Sequence, residues 1–207
     1  EGIPKFSKGR VVVGVLVDDS EDLELFLNSV ASAGKVGISK NKFAVFTTSE
    51  SVLNDMKNTK IKVVYIPELK NVGISGEGNV GPKLRRYFIQ AWLAFACANS
   101  LNKVLWQTPS TYWLERPDNI INAYPAVESL WAYKGRNDPR AAPFFVTFDF
   151  FAVVGQERPV HLLHELLLHF DLIVAWDSLD AVAAYRLSEN NSRYRYVRCF
   201  VLCVLCV

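Results

Sequence analysis

The stretch Lys103-Val104-Leu105-Trp106-Gln107-Thr108-Pro109-Ser110-Thr111-Tyr112-Trp113-Leu114-Glu115-Arg116-Pro117 is the pivot of the chain. Its Val104-Leu105-Trp106 run follows a long helical pattern. A short apolar run bounded by turn residues suits a buried central strand. Three small residues, Thr108-Pro109-Ser110, end it, and the aromatic pair Tyr112-Trp113 leads to a stop at Arg116-Pro117. Open α/β sheets bind ligands beyond the carboxyl ends of their strands. Thr108 to Ser110 occupies such an end, so a site is expected there.

Towards the N-terminus, Val11 to Val17 is a β-branched run and reads as a buried first strand. Asp18-Asp19-Ser20 follows, with Ser20 or Asp19 as helix N-cap. Leu23, Phe26, Leu27 and Val30 recur at helical spacing, and Gly34 is the expected stop. Lys42 to Thr48 is a second strand, and Thr47-Thr48-Ser49 leads into a short helix ending near Asn58. Ile61 to Ile66 is a third. This β-α-β-α-β opening predicts an α/β fold with a mostly parallel, Rossmann-like sheet. The strands near 11–17, 42–48, 61–66 and 103–107 should be parallel, with right-handed crossovers and helices on both faces.

Glu68 to Gly81 is a loop holding four of the eleven glycines. Gly76-x-Gly78-x-x-Gly81 has the letters of a dinucleotide fingerprint, but that motif must follow the first strand and needs an acidic residue about 20 positions on. Neither condition holds. Pro82 separates Gly81 from Lys83, which excludes a P-loop. Pro82 suits the first position of a helix running to about Ser100, with Leu84, Phe88, Ala91, Trp92 and Phe95 inward. Lys83, Arg85 and Arg86 crowd its first turn, where cations oppose the helix dipole. They either bind an anion or form a solvated basic face.

Beyond Pro117, residues 118–134 are apolar without a clear period, and 135–143 form a loop with Arg136 and Arg140. Phe144 to Val154 is an aromatic strand with Asp149 in its middle. A carboxylate there must face a polar pocket or pair with an arginine. Pro159 to Phe170 reads as a helix. Its His161, His164 and His169 lack His-Glu-x-x-His spacing and read as ordinary surface or core histidines. Ile173 to Trp176 leads to Asp177-Ser178-Leu179-Asp180 and a helical run to Leu187.

Composition sets the outer limits. A chain of 207 residues, half hydrophobic and 21% charged, reads as one domain. It buries roughly 70% of its unfolded surface and needs no staples. A net charge of +2 gives no bulk attraction for nucleic acid. No apolar run reaches the roughly 18 residues of a membrane span. The sequence opens at Glu1, without Met, which leaves a removed anchor open; the location reads as Golgi lumen in that case and cytoplasm otherwise. Cys97 sits in an apolar helical pattern and reads as a small buried hydrophobe. Cys199-x-x-x-Cys203-x-x-Cys206 has the spacing of radical iron–sulfur enzymes, but only Val207 follows it, so an apolar tail or strand is the better reading. Asn190-Asn191-Ser192 is a glycosylation sequon.

The central stretch resembles the metal-site strand of the nucleotide-diphospho-sugar transferases of GT-A fold, especially plant cell-wall xylosyl- and arabinosyltransferases. Their pattern is an apolar strand, Asp-x-Asp, then Val/Trp-Trp-Leu/Phe-x-x-Pro. Trp113-Leu114-Glu115-Arg116-Pro117 matches the tail, while Thr108-Pro109-Ser110 replaces the acidic motif. The resemblance covers roughly residues 10–187. It implies a nucleotide-binding half over 10–107, an acceptor and sugar half over 108–190, and a tail over 191–207. It places Val17, Asp18 and Asp19 beside the base and ribose, and Lys83, Arg86, Trp106 and Gln107 on the nucleotide and diphosphate side. It also makes Asp149 and Asp177 catalytic candidates that orient sugar or acceptor. The family's Mn²⁺ or Mg²⁺ loses its ligands here, so no metal and no other cofactor is expected. For Asp18, Asp19 and Asp177 the plainer alternative is turn and helix capping.

Two function classes follow. One is transfer of a sugar from a nucleoside diphosphate to an acceptor hydroxyl on a glycan or protein, metal-independent or weakly active. Lysine and arginine would then stabilise the departing diphosphate. The other is a non-catalytic module that kept the fold.

Overall fold

The computed structural model describes residues 11–71, 80–100, 103–116, 129–133, 146–153 and 157–189. Its strands are β1 (Val12–Leu16), β2 (Phe43–Thr47), β3 (Lys62–Tyr65), β4 (Val104–Gln107), β5 (Ser129–Tyr133) and β6 (Val146–Val153). They form a sheet in the order β3-β2-β1-β4-β6-β5. The four expected strands pair in parallel, β2 with β1 and β3, and β1 with β4. β6 runs antiparallel to β4, and β5 antiparallel to β6. The fold is therefore α/β with a mostly parallel, Rossmann-like sheet.

The helices are α1 (Ser20–Lys35), α2 (Glu50–Met56), α3 (Val80–Ser100), α4 (Glu157–Leu168), α5 (Phe170–Trp176) and α6 (Leu179–Glu189). Val13, Val15 and Val17 point to one face, where they meet Phe26 and Val30 of α1 and Val52 and Met56 of α2. Val12 and Leu16 point to the other, which α3, α4, α5 and α6 cover. A strand buried on both faces must be apolar at every position, which explains why no polar residue interrupts Val11 to Val17. Gly14 is part of this packing. A Cβ there would stand 2.9 Å from Cε3 of the buried Trp106 indole, which lies across the glycine and stacks on Phe46.

Local chemistry sets the helix ends. Asp19 is the N-cap of α1 and accepts from the Asp22 backbone N–H at 2.8 Å. The expected stop at Gly34 is corrected: α1 continues to Lys35 and ends at Gly37, whose φ is 81°. Ile38 N–H donates to the Ala33 carbonyl and Gly37 N–H to that of Gly34, the two bonds of a Schellman motif. The left-handed position is what requires glycine there. α3 starts at Val80, so Pro82 lies within the first turn, where no N–H has an intrahelical partner. Leu84, Ile89, Leu93 and Cys97 are fully buried, while Phe88, Trp92 and Phe95 are only half-buried. The expected single inward stripe is in fact two surfaces, one on the sheet and one on the flanking helices, where Phe88 meets Phe170 and Phe95 meets His164.

Within the unassigned 118–134 segment, residues 129–133 form the edge strand β5. Its register on β6 jumps from Phe151 opposite Trp131 to Thr147 opposite Ala132. Residues 148–150 are thus a bulge, and Asp149 sits in it. Bulges re-aim side chains at sheet ends. Arg136, Arg140, Gly76, Gly78, Asn190 to Ser192, and Cys199, Cys203 and Cys206 lie outside the described residues.

Candidate functional site

The sheet order reverses between β1 and β4, because α1 leaves β1 for one face and α3 enters β4 from the other. The crevice at the carboxyl ends of these strands is where doubly wound sheets take ligands. On the β1 side, the Asp18 carboxylate accepts from the Thr48 backbone N–H at 2.7 Å and from its hydroxyl at 3.1 Å. It ties the ends of β1 and β2 together. Asp19 caps α1, and the Val17 side chain is fully buried against α1 and α2, leaving only its backbone to the crevice. Of the three residues placed beside base and ribose, Asp18 alone has its side chain across the strand ends.

The first turns of α3 supply the cations. Arg86 reaches both oxygens of Asp22, at 3.0 and 3.1 Å, and Asp22 also receives the Asp18 backbone N–H at 3.4 Å. This places the start of α3 at the carboxyl ends of the strands and clamps it to α1. The pair is unequally buried: Asp22 keeps 11% of its side-chain exposure and Arg86 42%. Lys83 turns instead to Asp177, with Nζ 2.7 Å from the carboxylate and 3.3 Å from the carbonyl. Both partners are about half exposed, at 46% and 49%. The hydrogen bond to Asp177 raises the Lys83 pKa above its ordinary 10.5, and Nζ also lies 5.5 Å from the Tyr87 ring centroid. Burial pushes the Tyr87 hydroxyl pKa up as well. Arg85 points away and donates to the Lys70 carbonyl.

At the end of β4, Trp106 and Gln107 are wholly buried. Gln107 Nε2 donates to Ser29 Oγ at 2.9 Å, and its Oε1 accepts from Trp113 Nε1 at 3.0 Å. Ser32 Oγ accepts the Trp113 backbone N–H, and the Trp113 ring packs edge-on against Phe150. This network fastens the loop after β4 to α1. The sequence placed Trp106 and Gln107 on the nucleotide side; their side chains stand inside the protein. Trp106 Nε1 and Thr111 Oγ1 are buried without a hydrogen-bond partner. Thr108 and Ser110 set their hydroxyls 3.3 Å apart on the outer side of the loop.

Across from Thr108 lies Asp149, whose carbonyl accepts the Thr108 N–H at 2.9 Å. Thr147 Oγ1 accepts the Asp149 N–H. The half-buried Asp149 is thus the carboxylate-bearing residue that the bulge sets beside Thr108. Asp177 does not cap α6. Ser178 does, accepting from Ala181 N–H at 3.1 Å. Asp177 instead closes α5 in the left-handed region, with φ 46° and ψ 37°. Asp180 accepts the Phe148 N–H at 2.7 Å, so the 177–180 turn touches both α3 and the β6 bulge. Sequence reasoning missed Asp22, Thr48 and Asp180 as site supports. Asp22 had a signal, three residues after the Asp19 cap.

Among the described residues no group of three His, Cys, Asp or Glu side chains comes together to hold a metal. His161 and His169 flank Glu165 at 4.0 and 3.6 Å on the surface of α4. At Thr108-Pro109-Ser110, two neutral hydroxyls and a proline do not fit a hard divalent cation, which takes six or more oxygens, some of them anionic. No described helix is long and apolar enough to cross a membrane.

Neither a protein-family model nor a curated protein matches this chain. Among solved structures, the apo crystal structure of mouse xyloside xylosyltransferase 1 is similar, with a TM-score of 0.49 and 8% identity. The alignment covers 91% of this chain and 85% of that one. The fold assignment rests on the strand order itself.

Proposed function

We propose that the chain is a glycosyltransferase-like domain that takes a nucleoside diphosphate sugar at the carboxyl ends of β1 and β4 without a bound metal. The observation that carries this reading is the meeting of Asp18, Asp22 and Arg86 at the switch point, with Lys83 on the adjoining turn of α3. Asp18 offers a carboxylate for ribose hydroxyls. Lys83 supplies positive charge for the diphosphate, while Arg86 holds α3 in place. In transfer, the bond from the anomeric carbon to the diphosphate oxygen breaks, the bond to the acceptor oxygen forms, and the acceptor proton passes to the departing diphosphate or to water. Negative charge grows on the diphosphate, and preorganised cations stabilise such charge most where water is excluded. Asp149, beside Thr108, would orient sugar or acceptor.

A second reading has its own support. Lys83 already has an internal carboxylate, and the Thr108 and Ser110 hydroxyls lie within reach of each other. Those features suit a module that binds without turnover. Thermal unfolding with uridine or guanosine diphosphate, with and without Mn²⁺, tests the shared claim. A raised Tm that Mn²⁺ does not alter is expected, and no shift with either nucleotide rejects both readings. Release of free sugar or transfer product from a matching sugar nucleotide then separates enzyme from module.

A further inference from the structure

We propose that Asp177 is a built-in competitor for the anion subsite at Lys83, so that a diphosphate must displace its carboxylate to bind. This rests on the reading of the crevice given above and adds a control device to it. Three features converge. Both the carboxylate and the carbonyl of Asp177 point at Lys83 Nζ, as phosphate oxygens would. The pair is half exposed, and exposed ion pairs are worth little, so exchange for a more highly charged anion is favourable. Asp177 is also the one non-glycine residue with positive φ among those described. Aspartate tolerates this conformation better than most side chains, but a small penalty stays in the turn.

The Arg86–Asp22 pair does not share this behaviour. Asp22 is largely buried and has a second donor in the Asp18 backbone, so pulling it away from Arg86 leaves a desolvated carboxylate. Lys83 is therefore the exchangeable cation and Arg86 the fixed one. Displacing Asp177 also has a defined route into the site. Three residues on, Asp180 holds the Phe148 N–H in the bulge that carries Asp149, and the Asp149 carbonyl holds Thr108. The turn thus couples anion binding at α3 to the position of Asp149.

Calorimetric titration of inorganic pyrophosphate and of uridine diphosphate tests this in wild type, Asp177→Asn, Asp177→Gly and Lys83→Ala. Asparagine and glycine both accept the left-handed position, so the turn survives while the competing charge is lost. Asp55→Asn, exposed on α2 at the opposite face of the sheet, controls for net charge. Asp177→Asn and Asp177→Gly should bind about tenfold more tightly than wild type, Lys83→Ala about tenfold more weakly, and Asp55→Asn equally. If wild type binds but the Asp177 variants bind no better, or no better than Asp55→Asn, the competitor role is wrong and the proposed function stands. Undiminished binding by Lys83→Ala also overturns it. If neither ligand binds wild type or any Asp177 variant, both the inference and the function it rests on fall.

Discussion

Two sets of residues at the carboxyl end of the sheet behave in opposite ways. Trp106 and Gln107 lie inside, packed or hydrogen-bonded to α1 and to the loop they precede. Lys83 and Asp177 lie on the rim, half in water. The inner set fixes where the rim stands; the rim alone can exchange partners. A substitution that affects stability should therefore map to the inner set, and one that affects ligand affinity should map to the rim.

The largest effect tests the inner set. Trp106→Ala should cost about 3–5 kcal/mol, because it removes a fully buried indole and leaves a cavity over Gly14 of β1 and beside Phe46 of β2. Gly14→Ala attacks the same contact from the other side. Its Cβ would meet a rigid buried ring at 2.9 Å, and overpacking of this kind costs about 1–3 kcal/mol. Denaturant unfolding of both variants checks the pair. Wild-type stability for either would break the inner half of the comparison.

Gln107→Ala comes next. It strands the buried Trp113 indole N–H and releases Ser29, for about 1–3 kcal/mol. The loop after β4 should then loosen, giving faster amide exchange at Trp113. Lys83→Ala sharpens the contrast, since it should shift stability by only about 0–1 kcal/mol in the same unfolding assay. Its pH dependence has a definite sign. The Lys83 pKa is raised, so the pair's contribution is complete below the ordinary 10.5 and fades as pH climbs through the higher folded value.

The smallest effect concerns Cys97. Burial in α3 pushes its thiol up to about 12 from 9.0, so at pH 8 it stays protonated and shielded. Peptide mapping after native iodoacetamide treatment should find Cys97 unmodified, and unfolding should expose it.

The fold was legible because its central strands are short, continuous apolar runs set between helical patterns. The valines of β1 and the Val104-Leu105-Trp106 run could only be central strands, and four parallel strands stand where those runs placed them. The misses have local causes. Gly34 and Gly37 are both helix-ending residues by type, and only the left-handed φ at Gly37 distinguishes them. Asp149 read as a carboxylate that must face a polar pocket or pair with an arginine; its place in a bulge leaves no mark in the alternation until the partner strand is known. At the site, residue types were readable and pairings were not. Lys83 and Asp177 are 94 positions apart, and nothing in either neighbourhood announces the other. The resemblance put Gln107 on the nucleotide side, and the sequence could not show otherwise, because its partners Ser29 and Trp113 come together only after α1 has docked.

The most direct test of the central claim is a crystal structure with uridine diphosphate bound. The account predicts the diphosphate within hydrogen-bonding reach of Lys83 Nζ, the Asp177 carboxylate turned away, and the Arg86–Asp22 pair and the Gln107 network unchanged. A nucleotide seated elsewhere, or one at the crevice with Lys83 still paired to Asp177, would contradict it.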